Sequence, residues 1–409
     1  MRLLHVLSQR PSHTGSGITL QALIRGGDKR GAQSAAVIGV PALFNGPLLK
    51  GLPEENVFPV FFENDALPFP VPGMSDVMPY SSSVFSCLGL EDLKNYQDVW
   101  TETIRRAYHE FRPDIIHSHH VWIVSSLIKG VLPEVPQVIH CHATGLRQME
   151  LCPDLAEEVI NGCRRADAFC VLHKGHADVL SSRLRLNSHQ KISVVGAGYR
   201  DDIFKPGPGT LSDEVSKLVY AGKYSAAKGL PQLLDAFELL AEENAGLELH
   251  VVGSGAGEEA RMLEKRMKSM APAVVLHGQV DQVKLAGIMQ GCDVCVLPSF
   301  YEGVPLVLVE ALGCGCRLVS TALPGVVSEI APHVGDALEL VDLPRMESVD
   351  RPVPKDVAGF VEDLAKACRR ALEKGDLVES EGLGERLSHF TWDSVIERVY
   401  RVWKKVYND

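Results

Sequence analysis

Short β-branched runs alternate with longer stretches of helical spacing along almost the whole chain. The first series of candidate strands is "LLHVLS" (3–8), "SAAVIGV" (34–40), "DIIHS" (114–118), "QVIHCH" (137–142), "AFCVL" (168–172) and "ISVVG" (192–196). The second is "KLVYAG" (217–222), "LELHVVG" (247–253), "AVVLHG" (273–278), "DVCVLPS" (293–299), "RLVST" (317–321) and "ALELV" (337–341). Strands that do not alternate polar with apolar side chains are buried on both faces, which means parallel sheets covered by helices. Two such series predict two doubly wound α/β domains, 1–205 and 206–388. Their junction is expected in "AGYRDDIFKPGPGTLSDE", rich in Gly, Pro and Asp. A last helical pattern, Trp392 to Tyr407, repeats apolar residues at Val395, Val399, Val402 and Val406, so 389–409 is set apart as a terminal helix. One segment breaks the rhythm. "NDALPFPVPGMSDVMPYSSS" (64–83) is proline-rich and aperiodic, and its Phe, Val, Met and Tyr content predicts a long ordered loop over the first domain, a place for acceptor specificity.

A chain of 409 residues is long enough for two or three domains with large cores. Residues 1–200 carry 19 basic and 19 acidic side chains and residues 201–409 carry 22 and 33, so the whole net charge of −11 lies in the second half. No basic stripe stands out, which argues against a nucleic-acid partner. The neutral half is compatible with weak peripheral contact with an anionic membrane. No apolar stretch approaches the roughly 18 residues of a membrane span, and "MRLLHVLSQRP" is too short an apolar run for a signal peptide, so a cytoplasmic location is expected. Cys292 and Cys295 form C-x-x-C, but within "CDVCVLP", a strand pattern, they point to opposite faces and cannot share a zinc ion. The ten cysteines are expected to be small buried hydrophobes.

Ligands of open parallel sheets bind at the carboxyl ends of strands, where helices begin. "SHTGSGITLQAL" follows the first strand, with Gly15 and Gly17 opening a helix whose amides could receive a phosphate, a plain tight turn being the equal alternative. It lacks the third glycine of a dinucleotide fingerprint, and no acid follows the second strand promptly, so nicotinamide cofactors are disfavoured. In "YAGKYSAAKGL", Lys223 and Lys228 flank a turn at the head of the second sheet, two cations suited to a diphosphate. "YEGVPLVLVEALGCG" sets Glu302 and Glu310 eight positions apart. Pro305 suits the first turn of a helix, which leaves the amides of Leu306 and Val307 as unpaired donors and puts Glu302 in the loop before it. Glu310 then lies roughly 7–8 Å further along the helix axis. On the residues alone, a capping acid followed by an incidental surface acid remains an equal alternative. His117, His119, His120, His140 and His142 crowd two strand ends. Three of them with a water would make a zinc site, yet no Asp or Glu sits within these runs to complete or orient it. Buried structural histidines are the expectation for His117 and His140.

"PSFYEGVPLVLVEALGCG" resembles the E-x7-E signature of the retaining glycosyltransferases of family GT4, as do "VYAGKYSAAKGLPQLLDAF", "LELHVVGSGAGEE", "VVLHGQV" and "PGVVSEI", in that family's order. The likeness extends more loosely upstream through "GSGITLQALIRG", "FRPDIIHSHH", "VIHCHATGLR", "RRADAFCVL" and "ISVVGAGYRDDIFKP". The resemblance implies a GT-B architecture, two Rossmann-like domains facing a central cleft, with the terminal helix crossing back to the first. It implies a nucleotide-diphosphate sugar of UDP or GDP type on the second domain and a glycan, lipid or small-molecule acceptor on the first. It also implies no cofactor and no metal. By matching motifs, Glu302 would contact donor-sugar hydroxyls, Glu310 the ribose, and Lys223 and Lys228 the departing diphosphate, with Gly15, Gly17, Gly253, Pro305, Leu306 and Val307 in the donor-binding set. His142 matches a histidine near the donor sugar. Lysine replaces the family's usual arginine at 223, which keeps the charge but loses the bidentate fork. Arg317 stands where proline is common, with no catalytic effect expected. Retention by same-face attack is implied, the leaving phosphate taking the acceptor's proton. A nucleotide-sugar epimerase of similar shape, which would turn over without acceptor, and a non-catalytic nucleotide- or glycan-binding subunit are the alternatives.

Overall fold

The computed structural model describes residues 1–408 except 12, 13, 45, 47, 75–77, 79, 188–190, 208–214, 376 and 378–382. The chain divides into two compact units, Met1–Ala197 with Trp392–Asp409, and Gly198–Thr391. The first boundary falls at 197/198 instead of 205/206 because the following residues pack into the second unit. There the Phe204 carbonyl lies against Gly313, and Gln290 Nε2 donates to the Lys205 carbonyl at 2.9 Å. The Pro/Gly-rich remainder of the expected junction, 208–214, lies outside the described residues.

In the first unit, β1 (Arg2–Leu7), β2 (Gln33–Pro41), β3 (Val57–Phe62), β4 (Ile115–His119), β5 (Gln137–Cys141), β6 (Ala168–Val171) and β7 (Ile192–Val194) form a sheet in the order β3-β2-β1-β4-β5-β6-β7. All six pairings are parallel. The interleaved helices are α1 (Gly15–Asp28), α2 (Leu90–Phe111), α3 (Ile123–Val131), α4 (Thr144–Leu151), α5 (Pro153–Cys163) and α6 (Lys174–Arg183). Strand β3, "VFPVFF", is absent from the strands expected above because Pro59 interrupts its run. It forms at the sheet edge, where a missing N–H costs no ladder bond. In α2, Leu93, Tyr96, Trp100, Ile104, Ala107 and Phe111 recur at helical spacing and are buried in one continuous core. The 64–83 loop also contributes Leu67, Val71 and Met74 to that core, while 75–77 and 79 lie outside the described residues.

In the second unit, β8 (Ser216–Ala221), β9 (Leu247–Val252), β10 (Val274–Gly278), β11 (Val294–Leu297), β12 (Arg317–Thr321) and β13 (Leu338–Val341) run in the order β10-β9-β8-β11-β12-β13, again all parallel. A small antiparallel hairpin, β14 (Met346–Ser348) and β15 (Arg351–Pro352), follows. Around the sheet run α7 (Leu230–Glu243), α8 (Gly257–Ser269), α9 (Gln282–Met289), α10 (Leu306–Gly313), α11 (Ala331–Val334), α12 (Val357–Glu373) and α13 (Leu383–Ser388). Arg317 contributes structure here: its Nε and Nη2 donate to the carbonyls of Gly375 (2.5 Å) and Lys374 (3.1 Å), satisfying acceptors at the end of α12.

The last helix, α14 (Trp392–Asn408), belongs to the first unit. Its apolar face, including Val395, Ile396, Val399, Val402, Trp403 and Val406, is buried with Leu3, Ala22, Leu23, Ile115 and Val138 from α1 and the sheet. A Cβ on Gly26 of α1 would lie 2.3 Å from Ile396, so α1 and α14 touch along a surface with no room for a larger side chain.

Candidate active site

Strand order reverses between β8 and β11 in the second unit, and crevices for ligands open at the carboxyl ends of such strands. The turn after β8 carries Lys223. Beneath it Tyr220 is fully buried and its hydroxyl donates to the Lys223 carbonyl at 2.7 Å. Burial first, then the Glu302 carboxylate, pushes that phenol well above its ordinary range, so it stays a donor. Gly253 follows β9 at φ +134°, and a Cβ there would sit 1.9 Å from the Gly222 carbonyl oxygen. Only glycine lets these two turns touch.

After β11 come Ser299 and Glu302. Glu302 Oε1 accepts from Lys228 Nζ at 2.5 Å and from Ser299 Oγ at 3.0 Å. The Phe300 N–H donates to the Ala227 carbonyl at 3.0 Å, which fixes the two turns to each other. The Lys228 and Glu302 side chains are 24% and 19% exposed, sheltered enough for a firm ion pair yet open to an arriving solute. Helix α10 starts one residue beyond the proline: Pro305 is the N-cap and Leu306 the first helical residue. The Leu306 and Val307 amides therefore belong to the first turn, where N–H groups have no partner within the helix. Leu308, Val309, Ala311 and Leu312 are buried and anchor the helix. Glu310 keeps part of its surface open to solvent, and burial of the rest pushes its carboxyl up to about 7.

The first unit has its own reversal, between β1 and β4, and there the histidines gather. His5 pairs in register with His117, and His119 with His140. The rings of His119, His140 and His142 stack, with centroids 4.6–5.9 Å apart. His119 Nδ1 and His142 Nε2 share one hydrogen bond at 3.0 Å, and His120 Nδ1 bonds Thr144 Oγ1 at 3.0 Å. Trp403 of α14 donates to His117 Nδ1 at 2.8 Å. Because indole is a donor only, His117 carries its proton on Nε2. Burial lowers His5 and His120 to about 3 and His140 to about 4, and burial together with neighbouring rings lowers His117, His119 and His142 well below 6.5. Among the described residues no three His, Cys, Asp or Glu side chains converge as a metal site would require. His120 and Ala143, which follow β4 and β5, have positive φ of +70° and +65°, a strained backbone for residues other than glycine.

The expected residues thus fall into two groups. Lys223, Lys228, Gly253, Glu302 and Pro305 lie in the turns after β8, β9 and β11 of the second unit, and Leu306, Val307 and Glu310 on α10; Gly15, Gly17 and His142 lie on the first unit. One expectation changes: the Gly17 amide is engaged by the Thr14 cap, whose Oγ1 accepts from it at 3.1 Å. Gly17 is glycine because a Cβ there would meet the Pro11 carbonyl at 2.4 Å, while Gly15 has open space beside its Cα. The sequence reading missed Ser299, His5 and Trp403. His5 shared strand parity with the later histidines, and a serine three residues before Glu302 was within side-chain reach; Trp403 carried no such signal. All ten cysteines are free thiols, nine of them buried. No described helix is long and apolar enough to cross a membrane.

Residues 215–345 match the family profile described as Glycosyl transferases group 1. The chain is 26% identical over 352 residues to D-inositol 3-phosphate glycosyltransferase 2 of Catenulispora acidiphila, covering 79% of this chain and 78% of that one. It is 24% identical over 304 residues to a glycogen synthase of Mycobacterium tuberculosis, covering 72% and 69%. Among solved structures, sucrose-phosphate synthase from Thermosynechococcus elongatus aligns over 100% of both chains with a TM-score of 0.73 at 17% identity. Anabaena HepE, solved in complex with UDP-glucose, aligns over 98% and 99% with a TM-score of 0.68 at 16% identity. Residues 215–345 thus carry a Glycosyl transferases group 1 domain, and the two parallel-sheet α/β units have the GT-B fold.

Proposed function

We propose that the chain transfers a sugar from a nucleotide-diphosphate sugar to an acceptor hydroxyl, with retention of anomeric configuration and without a metal ion or cofactor. The observation that carries this reading is the Lys228–Glu302–Ser299 group at the second unit's strand reversal, beside the first turn of α10, with Glu310 further along the same helix. An ammonium paired to a carboxylate can turn to a diphosphate as its charge develops, while the carboxylate accepts from sugar hydroxyls. Lys223, Lys228 and the Leu306 and Val307 amides supply the electrostatic stabilisation such a leaving group needs. Glu310 suits ribose hydroxyls, and Gly253 lets the backbone approach the nucleotide closely. The anomeric carbon–oxygen bond to phosphate breaks, a bond to the acceptor oxygen forms on the same face, and the acceptor's proton passes to the departing phosphate. Several relatives carry glycosyltransferase names, and HepE was solved with UDP-glucose, which supports a UDP- or GDP-type sugar as donor. The first unit takes the acceptor, and its His142 is the histidine expected near the donor sugar.

A thermal-shift panel of nucleoside diphosphates and their sugars, followed by NMR of the product anomer with and without EDTA, tests the whole reading. Inverted product would overturn retention, and loss of turnover with EDTA would overturn metal independence. Turnover without acceptor would indicate an epimerase instead.

A further inference from the structure

Three residues beyond β1, the Arg10 guanidinium lies 5.0 Å from the ring centroid of Tyr80 and 5.6 Å from that of Phe44. Phe44 belongs to the turn after β2 and Tyr80 to the 64–83 loop, so three separate segments converge on one cation. The loop is tied down beside it. Buried Gln9 bonds Met78 Sδ through Nε2 at 3.8 Å and Ser16 Oγ through Oε1 at 3.0 Å. Ser16 stands in the first turn of α1, so the same contacts link the loop to the start of that helix. Burial raises the Tyr80 phenol to about 12, which keeps it neutral.

A guanidinium over aromatic rings is held by cation–π attraction and does not spend its N–H groups on a hydrogen-bond acceptor. Its N–H donors lie in the plane, in a fork that fits two oxygens of a carboxylate or phosphate. Other arginines of this unit spend their forks on neighbours: Arg2 on the Phe111 carbonyl and Gln33, Arg185 on Glu157. Among the described residues Arg10 has its two rings and no carboxylate or carbonyl partner. It also sits beyond the carboxyl end of a strand at the sheet's reversal, where solutes bind in this architecture. Fixing a long side chain costs rotamer entropy, which the contact with the two rings offsets, so the guanidinium is held in one place.

We propose that Arg10, held against Phe44 and Tyr80, binds an oxyanion, phosphate or carboxylate, carried by the acceptor. The word acceptor rests on the transfer reading above; the anion site does not. Isothermal titration at constant ionic strength, with the donor site filled by UDP or the diphosphate selected by the thermal panel, tests it with inorganic phosphate and, separately, acetate. Saturable binding of phosphate marks a phosphorylated acceptor and binding of acetate a carboxylated one; either supports the site if Arg10→Met weakens it by at least about tenfold. Arg10→Lys, which keeps the charge but loses the fork, is expected to lie between wild type and Arg10→Met. Tyr80→Leu should weaken the anion without changing diphosphate affinity. No binding of either anion by the wild type, or binding by Arg10→Met within twofold of wild type, overturns the proposal. Should Arg10→Met fail to fold, wild-type affinity in Arg10→Lys overturns it instead. Transfer from a nucleotide sugar without an Arg10 anion site would sink this inference alone. An intact anion site without nucleotide binding would sink the transfer reading alone.

Discussion

Glu302 is the side chain whose two partners pull it in different directions: Ser299 holds it as any acceptor would be held, and Lys228 holds it as a counter-ion. Glu302→Gln keeps the size and one acceptor oxygen while releasing the lysine. Transfer is expected to fall at least about a hundredfold while nucleoside diphosphate affinity stays within about threefold. Equal loss of both in kinetics and titration would show that the residue serves binding and not transfer. Glu310 makes a different prediction. Its carboxyl is pushed up to about 7 by burial, and the ionised form is the stronger acceptor for the ribose hydroxyls proposed above. Diphosphate affinity should therefore rise up to about tenfold from pH 6 to 8, and Glu310→Gln should flatten the profile. The raised value also has a stability sign: the folded state holds this proton more tightly than the unfolded chain does. The resulting contribution is fully present below the ordinary carboxyl range and is lost as pH rises through about 7. The helix start at Leu306 and the turn positions of Lys223, Lys228 and Glu302 were legible in the sequence, whereas the roles proposed for them came from the resemblance, since spacing alone left an incidental surface acid as an equal alternative. The capping of Gly17 by Thr14 was not legible, since a phosphate-binding glycine and a glycine packed under a carbonyl look the same as letters.

At the scale of elements, the histidine-bearing strands behave as a block. His5, His117, His119, His120 and His140 are buried to within 2% exposure and held neutral. Each binds a proton more readily when unfolded, so stability is fully present above pH 6.5 and is lost as pH falls towards the depressed folded values. The loss is about 1 kcal/mol per ring between pH 6.5 and 5.5. Summed over five rings it is comparable to a domain's whole stability. Urea titrations at pH 7 and 5.5 should show the first unit failing well before the second; parallel loss in both would disprove the block. The twelve strands expected from the sequence all formed; the central ones are apolar runs buried on both faces, and even the partly exposed edge strands β7, β10 and β13 kept enough of that pattern to register. Strand β3 did not announce itself, because Pro59 forbids a central strand and only the tertiary sheet edge makes it harmless. The β14–β15 hairpin was invisible for a related reason: its strands are too short for any period to register.

The whole molecule is two units with separate cores, and its unfolding need not be a single transition. Nucleoside diphosphate should raise the transition of the second unit and leave the other where it was, since a ligand stabilises only what binds it. Trp403→Ala should do the opposite. It removes a fully buried indole and strands His117 Nδ1, at a cost of about 3–5 kcal/mol to the first unit alone. Calorimetry with each perturbation separates the two; a single transition moved by both would refute independent units. The two-unit plan was readable because two series of strands each filled a sheet. The exact hand-over at 198 was not, because it depends on Phe204 and Lys205 packing against the second unit.

The return of α14 to the first unit has a consequence for biosynthesis. Residues 1–197 leave the ribosome first, but the helix that closes their apolar groove, Trp392–Asn408, follows only after the 194 residues of Gly198–Thr391. At about 5–20 residues per second that delay is roughly 10–40 s. Throughout it Leu3, Leu23, Ile115 and Val138 lack their cover, so the nascent chain offers a greasy furrow to chaperones until the final helix seals it.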